Sequence, residues 1–135
     1  KSREIEVIES IRSQVEHYTN LMSIKITNSE REITFAGTIF AKEEPRIVNF
    51  SGYDVELEPT PNILAVQNID KPGVIGQIGT LIGLSGVNIA AMKVCRRKQN
   101  NKALMIMNVD SQLSDETLNM LKKVDGILEV KQIKL

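Results

Sequence analysis

The sequence predicts an α+β chain in two parts, a mostly antiparallel β meander over residues 1–61 and a βαββαβ unit over residues 62–135. Three observations predict it. Short β-rich runs separated by turn residues fill the first part. Two stretches with helical apolar spacing, each set between β-rich runs, fill the second. Pro59-Thr60-Pro61, which cannot continue a hydrogen-bonded ladder, stands between the two.

In the first part the candidate strands are residues 5–8, 21–27, 33–40, 46–50 and 53–57, with turns at Asn28-Ser29, Glu43-Glu44-Pro45 and Ser51-Gly52. Residues 9–17 are helix-compatible but polar, which fits a short exposed helix or loop. A meander this small, with so little helix to cover it, is marginal on its own. We therefore read it as the remainder of a truncated α/β domain. The opening Lys1-Ser2-Arg3, without Met, likewise suggests a piece of something longer.

In the second part, residues 63–69 alternate as a buried strand, and residues 73–85 carry Val74, Ile75, Ile78, Leu81, Ile82 and Leu84 as a broad helical stripe. Residues 87–96 and 103–110 are β-rich runs joined by the polar Gln99-Asn100-Asn101 turn, a hairpin. Ser114 caps a second helix, with Leu113 and Leu118 placed as a hydrophobic staple and Leu118, Leu121 and Val124 on one face. Gly126 ends that helix and residues 127–135 supply the last strand. The order builds a two-layer unit with both helices on one face of the sheet.

Composition narrows the function classes. Lys plus Arg and Asp plus Glu each number 17, so neither nucleic acid nor an anionic membrane meets a charged footprint. The basic trio Arg96, Arg97 and Lys98 lies beside the hairpin turn and reads as a solvated tip. A lone Cys95 excludes an internal disulfide and any Cys-based metal cluster, and fits a cytoplasmic location. No run approaches the roughly 18 apolar residues of a membrane span. His17 is the single histidine, in a polar segment, so neither a metal site nor a Ser/His/Asp set assembles around it. No catalytic or metal residues are assigned. Lys42 and Arg46 flank a turn and form a weak candidate anion site beside the ordinary reading of a charged hairpin.

The candidate binding site is the stretch Asn68-Ile69-Asp70-Lys71-Pro72-Gly73-Val74-Ile75-Gly76, joined by Gly86-Val87-Asn88-Ile89-Ala90. Asp70 and Pro72 stand where a helix begins, Asp as a favoured cap and Pro preset to the first-turn φ. The first helical N–H groups, on Gly73, Val74 and Ile75, lack partners and favour a carboxylate. Asp70 suits an ammonium group, and the amides of Asn68 and Asn88 suit the rest of a free amino acid. The alternative is that Asp70 only caps the helix and the two Asn side chains only close loops. The residues alone leave both open.

Glycines follow the same stretch at Gly73, Gly76, Gly79, Gly83 and Gly86. The three inside the helix together sacrifice about 2 kcal/mol against Ala. Either close packing of the helix on its own sheet or approach by a ligand or second copy offsets that cost. The G-x-x-G-x-x-G spacing is not the G-x-G-x-x-G of a dinucleotide fold, and no P-loop motif occurs.

Taken together, these motifs resemble the C-terminal regulatory part of the D-3-phosphoglycerate dehydrogenase family. Tyr18-Thr19-Asn20-Leu21, Ala36-Gly37-Thr38-Ile39-Phe40, Pro45-Arg46-Ile47-Val48 and Gly52-Tyr53 are similar to the intervening, or allosteric substrate-binding, domain of its longer members. Residues 62–135 resemble a ferredoxin-like ACT domain. The resemblance implies L-serine bound between paired ACT domains as feedback inhibitor, at positions matching Asn68, Asp70, Pro72, Gly73, Val74 and Asn88. Family members carry His or Tyr where Asn68 stands. It also implies a homodimer or larger assembly, and NAD bound by a parent dehydrogenase of serine biosynthesis but by nothing in residues 1–135. The intervening domain's anion site is not carried over, because Glu58 and Asn108 stand where basic residues belong. Two alternatives accompany this reading, the ACT-containing β-chain of iron–sulfur L-serine dehydratase and an oligomerisation module that binds no ligand.

Overall fold

The computed structural model describes residues 8, 18–27, 29–30, 32–41, 43–97 and 99–135. The first part is a meander of β1 (Met22–Thr27), β2 (Glu32–Phe40), β3 (Glu44–Phe50) and β4 (Tyr53–Leu57), hydrogen-bonded in that order and antiparallel throughout. The candidate strand at 5–8, the polar segment at 9–17, Lys42 and Lys98 fall outside the described residues, Ile8 excepted.

One turn is shorter than its sequence suggests. Glu43 alone carries the left-handed φ of 62°, and Glu44 and Pro45 already belong to β3. Pro45 is tolerated because β4 pairs with β3 only from Ile47 to Phe50, so no ladder partner awaits its missing N–H.

The second part runs β5 (Asn62–Ile69), α1 (Val74–Leu84), β6 (Ile89–Arg97), β7 (Lys102–Val109), α2 (Asp115–Lys122) and β8 (Ile127–Lys134). Its sheet order is β6-β7-β5-β8, all antiparallel, which is the βαββαβ fold the sequence predicts. Alternation along the central strands sends Leu64, Val66, Met105 and Met107 to one face. There they bury Val74, Ile78 and Ile82 of α1 and Leu121 of α2. Ser114 caps α2, its Oγ accepting from the Thr117 N–H at 3.2 Å.

The other face of this sheet is covered by the meander. Ile63, Ala65, Leu104 and Ile106 form one buried cluster with Ile47, Phe50, Tyr53, Val55 and Leu57. The meander therefore finds in the second sheet the cover that its lack of helix denies it. Polar ties accompany the apolar contact: Gln67 donates to the Tyr53 hydroxyl at 3.2 Å, and Asn108 donates to the Glu58 carbonyl at 3.1 Å. Arg97 donates to the Ser51 carbonyl at 2.9 Å and lays its guanidinium 4.2 Å from the Tyr53 ring centre.

Candidate functional site

The corner where β5 leaves the sheet gathers Asn68, Asp70, Pro72, Gly73 and Val74, but not as the sequence suggests. Helix α1 starts at Val74, and its N-cap is Gly73 in the left-handed conformation, φ 88° and ψ −22°, with no side-chain cap. Asp70 does not cap it. Its N–H donates to the Asn101 carbonyl at 2.9 Å, and its carboxylate meets Arg96 Nε at 3.2 Å. Pro72 lies in the turn two residues before the helix and is not its first residue. A residue free to take positive φ turns the chain into the helix, and this achieves what Asp and Pro would have done as cap and first turn.

The consequence is chemical. The first-turn N–H groups now belong to Val74, Ile75 and Gly76, no acidic residue occupies that turn, and the positive end of α1 is left without a built-in anion. The turn itself is held from both sides. Ile69 donates to the Gly126 carbonyl at 2.7 Å, and Lys71 pairs with Asp125, whose carboxyl that ammonium holds below the usual range.

Asn68 is 3% exposed and shares the helix-facing side of β5 with Leu64 and Val66. Its Nδ2 donates to the Ile69 carbonyl at 2.6 Å, while its Oδ1 is buried with no hydrogen-bond partner among the described residues. The Oδ1 of Asn108, on the meander side of the sheet, is likewise buried without a partner among the described residues.

Asn88 is not at this corner. It lies exposed before β6, bonded to Asp110 through Nδ2–Oδ2 at 3.1 Å, while the Asp110 N–H donates to its carbonyl. Asp70 neighbours Asn101 at one end of β7 and Asn88 neighbours Asp110 at the other. The length of that strand, roughly 25 Å, separates them. One copy cannot close both around a small molecule.

The glycines of α1 do not pack on their own sheet. A Cβ built at Gly76, Gly79 or Gly83 meets nothing within 4 Å. Beside them Ile75 and Leu84 are exposed, at 45% and 80%. Close packing against the sheet is thereby excluded as the reason for these glycines.

Sequence reading missed Arg96. Its side chain is 70% exposed and pairs with Asp70, while Arg97 engages Tyr53 and Ser51 on the opposite face. The signal was the strand's period of two next to the hairpin turn, which sends neighbouring arginines to opposite sides of the sheet. Arg46, offered as an anion clasp, bonds Glu44 at 3.1 Å and its neighbouring Pro45 carbonyl at 2.9 Å, and Lys42 lies outside the described residues. No described helix is long and apolar enough to cross a membrane.

Comparison with known proteins finds the following similarities. The D-3-phosphoglycerate dehydrogenase intervening domain family matches residues 1–51. A D-3-phosphoglycerate dehydrogenase of Bacillus subtilis is 33% identical over 135 residues, which are 100% of this chain and 26% of that protein. A probable L-serine dehydratase beta chain of the same organism is 26% identical over 134 residues, covering 98% of this chain and 60% of that one. Among solved structures, the ACT domain from the GTP pyrophosphokinase of Chlorobium tepidum superposes with a TM-score of 0.44 at 20% identity, over 53% of this chain and 95% of that domain. The chain thus spans about a quarter of the dehydrogenase it matches. Residues 1–51 thus match the intervening domain of D-3-phosphoglycerate dehydrogenase, and all 135 residues align with one stretch of that enzyme.

Proposed function

We propose that this chain is an effector-sensing region in which residues 62–135 act as an ACT domain, and that two copies close L-serine between them. The observation that carries the reading is the split of a zwitterion's partners between the two ends of one unit. The open positive end of α1 and the orphaned Asn68 acceptor stand at one end, and the Asn88 carboxamide stands at the other. A two-fold axis crossing the middle of α1 brings the Asn88 end of one copy to the Asp70 corner of its partner, twice over. The exposed face of Gly76, Gly79 and Gly83 lets two such helices approach closely. In this arrangement the serine carboxylate lies on the first-turn N–H groups, its ammonium on Asp70 and Asn68, and its remainder against Asn88 of the partner.

Residues 1–61 then belong to an intervening domain, packed on the sheet that carries the effector corner. The parent protein is a cytoplasmic, NAD-dependent dehydrogenase acting on 3-phosphoglycerate. Serine biases it toward a less active arrangement through its differential affinity for two states. The matched dehydratase beta chain supports a second parent for the same module, and sequence upstream of residue 1 separates the two.

Calorimetric titration with L-serine tests the reading. Asp70→Ala and Asn88→Ala are each expected to weaken binding by about 1–3 kcal/mol, the range for losing a charged or buried hydrogen-bond partner. Absence of binding to the unmodified chain contradicts it and leaves the ligand-free oligomerisation module in its place.

A further inference from the structure

We propose that Arg96 is a carboxylate-binding residue of the effector corner, held ready by Asp70, and that it makes the site select ligands by their α-carboxylate. The inference rests on the reading of that corner as an amino-acid site and adds to it a residue and a basis for specificity.

The placement follows from the ladder. Arg96 and Asn68 are both registered against Ala103 of β7, on the helix-facing side of the sheet. Two strand spacings put their backbones about 10 Å apart. Ala103, between them, is 1% exposed and Asn68 3%, so this part of the row is covered, while the Arg96 side chain at its outer end is 70% exposed.

The contact geometry supports a second partner for the guanidinium. The Asp70 carboxylate approaches its Nε to 3.2 Å, and the side chain is 70% exposed. Arg has five donors in a planar fork, and an end-on contact at Nε leaves the two terminal nitrogens for another carboxylate. Asp70 acts here as a positioning residue as well as an ammonium partner. A zwitterion at the outer end of the row thus meets an acceptor at Asp70, and donors at Arg96 and the α1 N-terminus.

The test compares L-serine with L-serinamide, whose carboxylate is replaced by a neutral amide, on the unmodified chain and on Arg96→Gln. The unmodified chain is expected to prefer serine by at least about tenfold. Arg96→Gln is expected to lose at least about tenfold in serine affinity while serinamide changes by no more than about twofold, so that the preference collapses. Arg96→Lys keeps the charge without the fork and is expected to fall between the two. Because the side chain is mostly exposed, an unchanged melting temperature is expected and checks that the fold is intact. Serine binding that is unchanged or tightened in Arg96→Gln overturns the inference while leaving the serine site standing. Failure of the unmodified chain to bind serine overturns both.

Discussion

Two adjacent arginines show how much a single position decides. Arg96 reaches Asp70 at the corner before α1 and Arg97 reaches the meander, because successive strand side chains point to opposite faces. Cys95, one residue earlier, shares the Arg97 face and packs against the core between the sheets. Burial raises its thiol pKa, the nearby Asp54 carboxylate adds to the rise, and Lys93 partly opposes it. A raised pKa leaves little thiolate at neutral pH, and the thiolate is the reactive form. Iodoacetamide at pH 8 is therefore expected to alkylate Cys95 several-fold more slowly than a free cysteine, with the rate climbing only at more alkaline pH. A rate equal to that of free cysteine contradicts the packed environment.

Among the elements, β6 carries the most divided duties, with an open edge, a corner residue and the arginine that clamps the meander. Gly52 takes φ 78° and sits directly under the Arg97 guanidinium, where a Cβ would collide. Arg97→Ala removes the Tyr53 face contact and the bond to the Ser51 carbonyl, and is expected to lower stability by about 1–3 kcal/mol in chemical denaturation. Arg96→Ala breaks only an exposed ion pair and is expected to cost about 0–1 kcal/mol. Equal losses for the two would contradict the assignment of faces.

Elements of this kind were largely legible in the sequence. Period-two and period-3.6 spacing located the described strands and both helices to within a few residues, and Ser114 announced its cap. What spacing does not encode was misread. The start of α1 depends on a backbone angle at Gly73, Pro45 is tolerated because of where β4 stops, and Arg97 is engaged because of a sheet distant in sequence.

At the scale of the whole molecule, the decisive fact is that one face of the βαββαβ sheet holds helices and the other holds the meander. Asp70, Pro72, Gly73, Val74 and Asn68 were recognisable as one corner from their order in the chain. The distance to Asn88 was not, because two motifs joined by a helix look adjacent in sequence and stand at opposite ends of the sheet. That separation makes a second copy a requirement of the proposed site. Sedimentation at tens of micromolar is expected to show a dimer or larger species, and a purely monomeric chain would contradict the seam.

The most direct measurement mixes two defective variants. Asp70→Ala and Asn88→Ala each spoil both sites of their own homodimer. In a heterodimer, one site receives both substitutions and the other receives Asp70 from one copy and Asn88 from its partner, intact. After the two are unfolded together and refolded at equal amounts, calorimetry with L-serine is expected to recover about a quarter of the normal number of sites at unmodified affinity. Recovery of none, with each variant folded and dimeric, would mean that Asp70 and Asn88 do not meet across two copies.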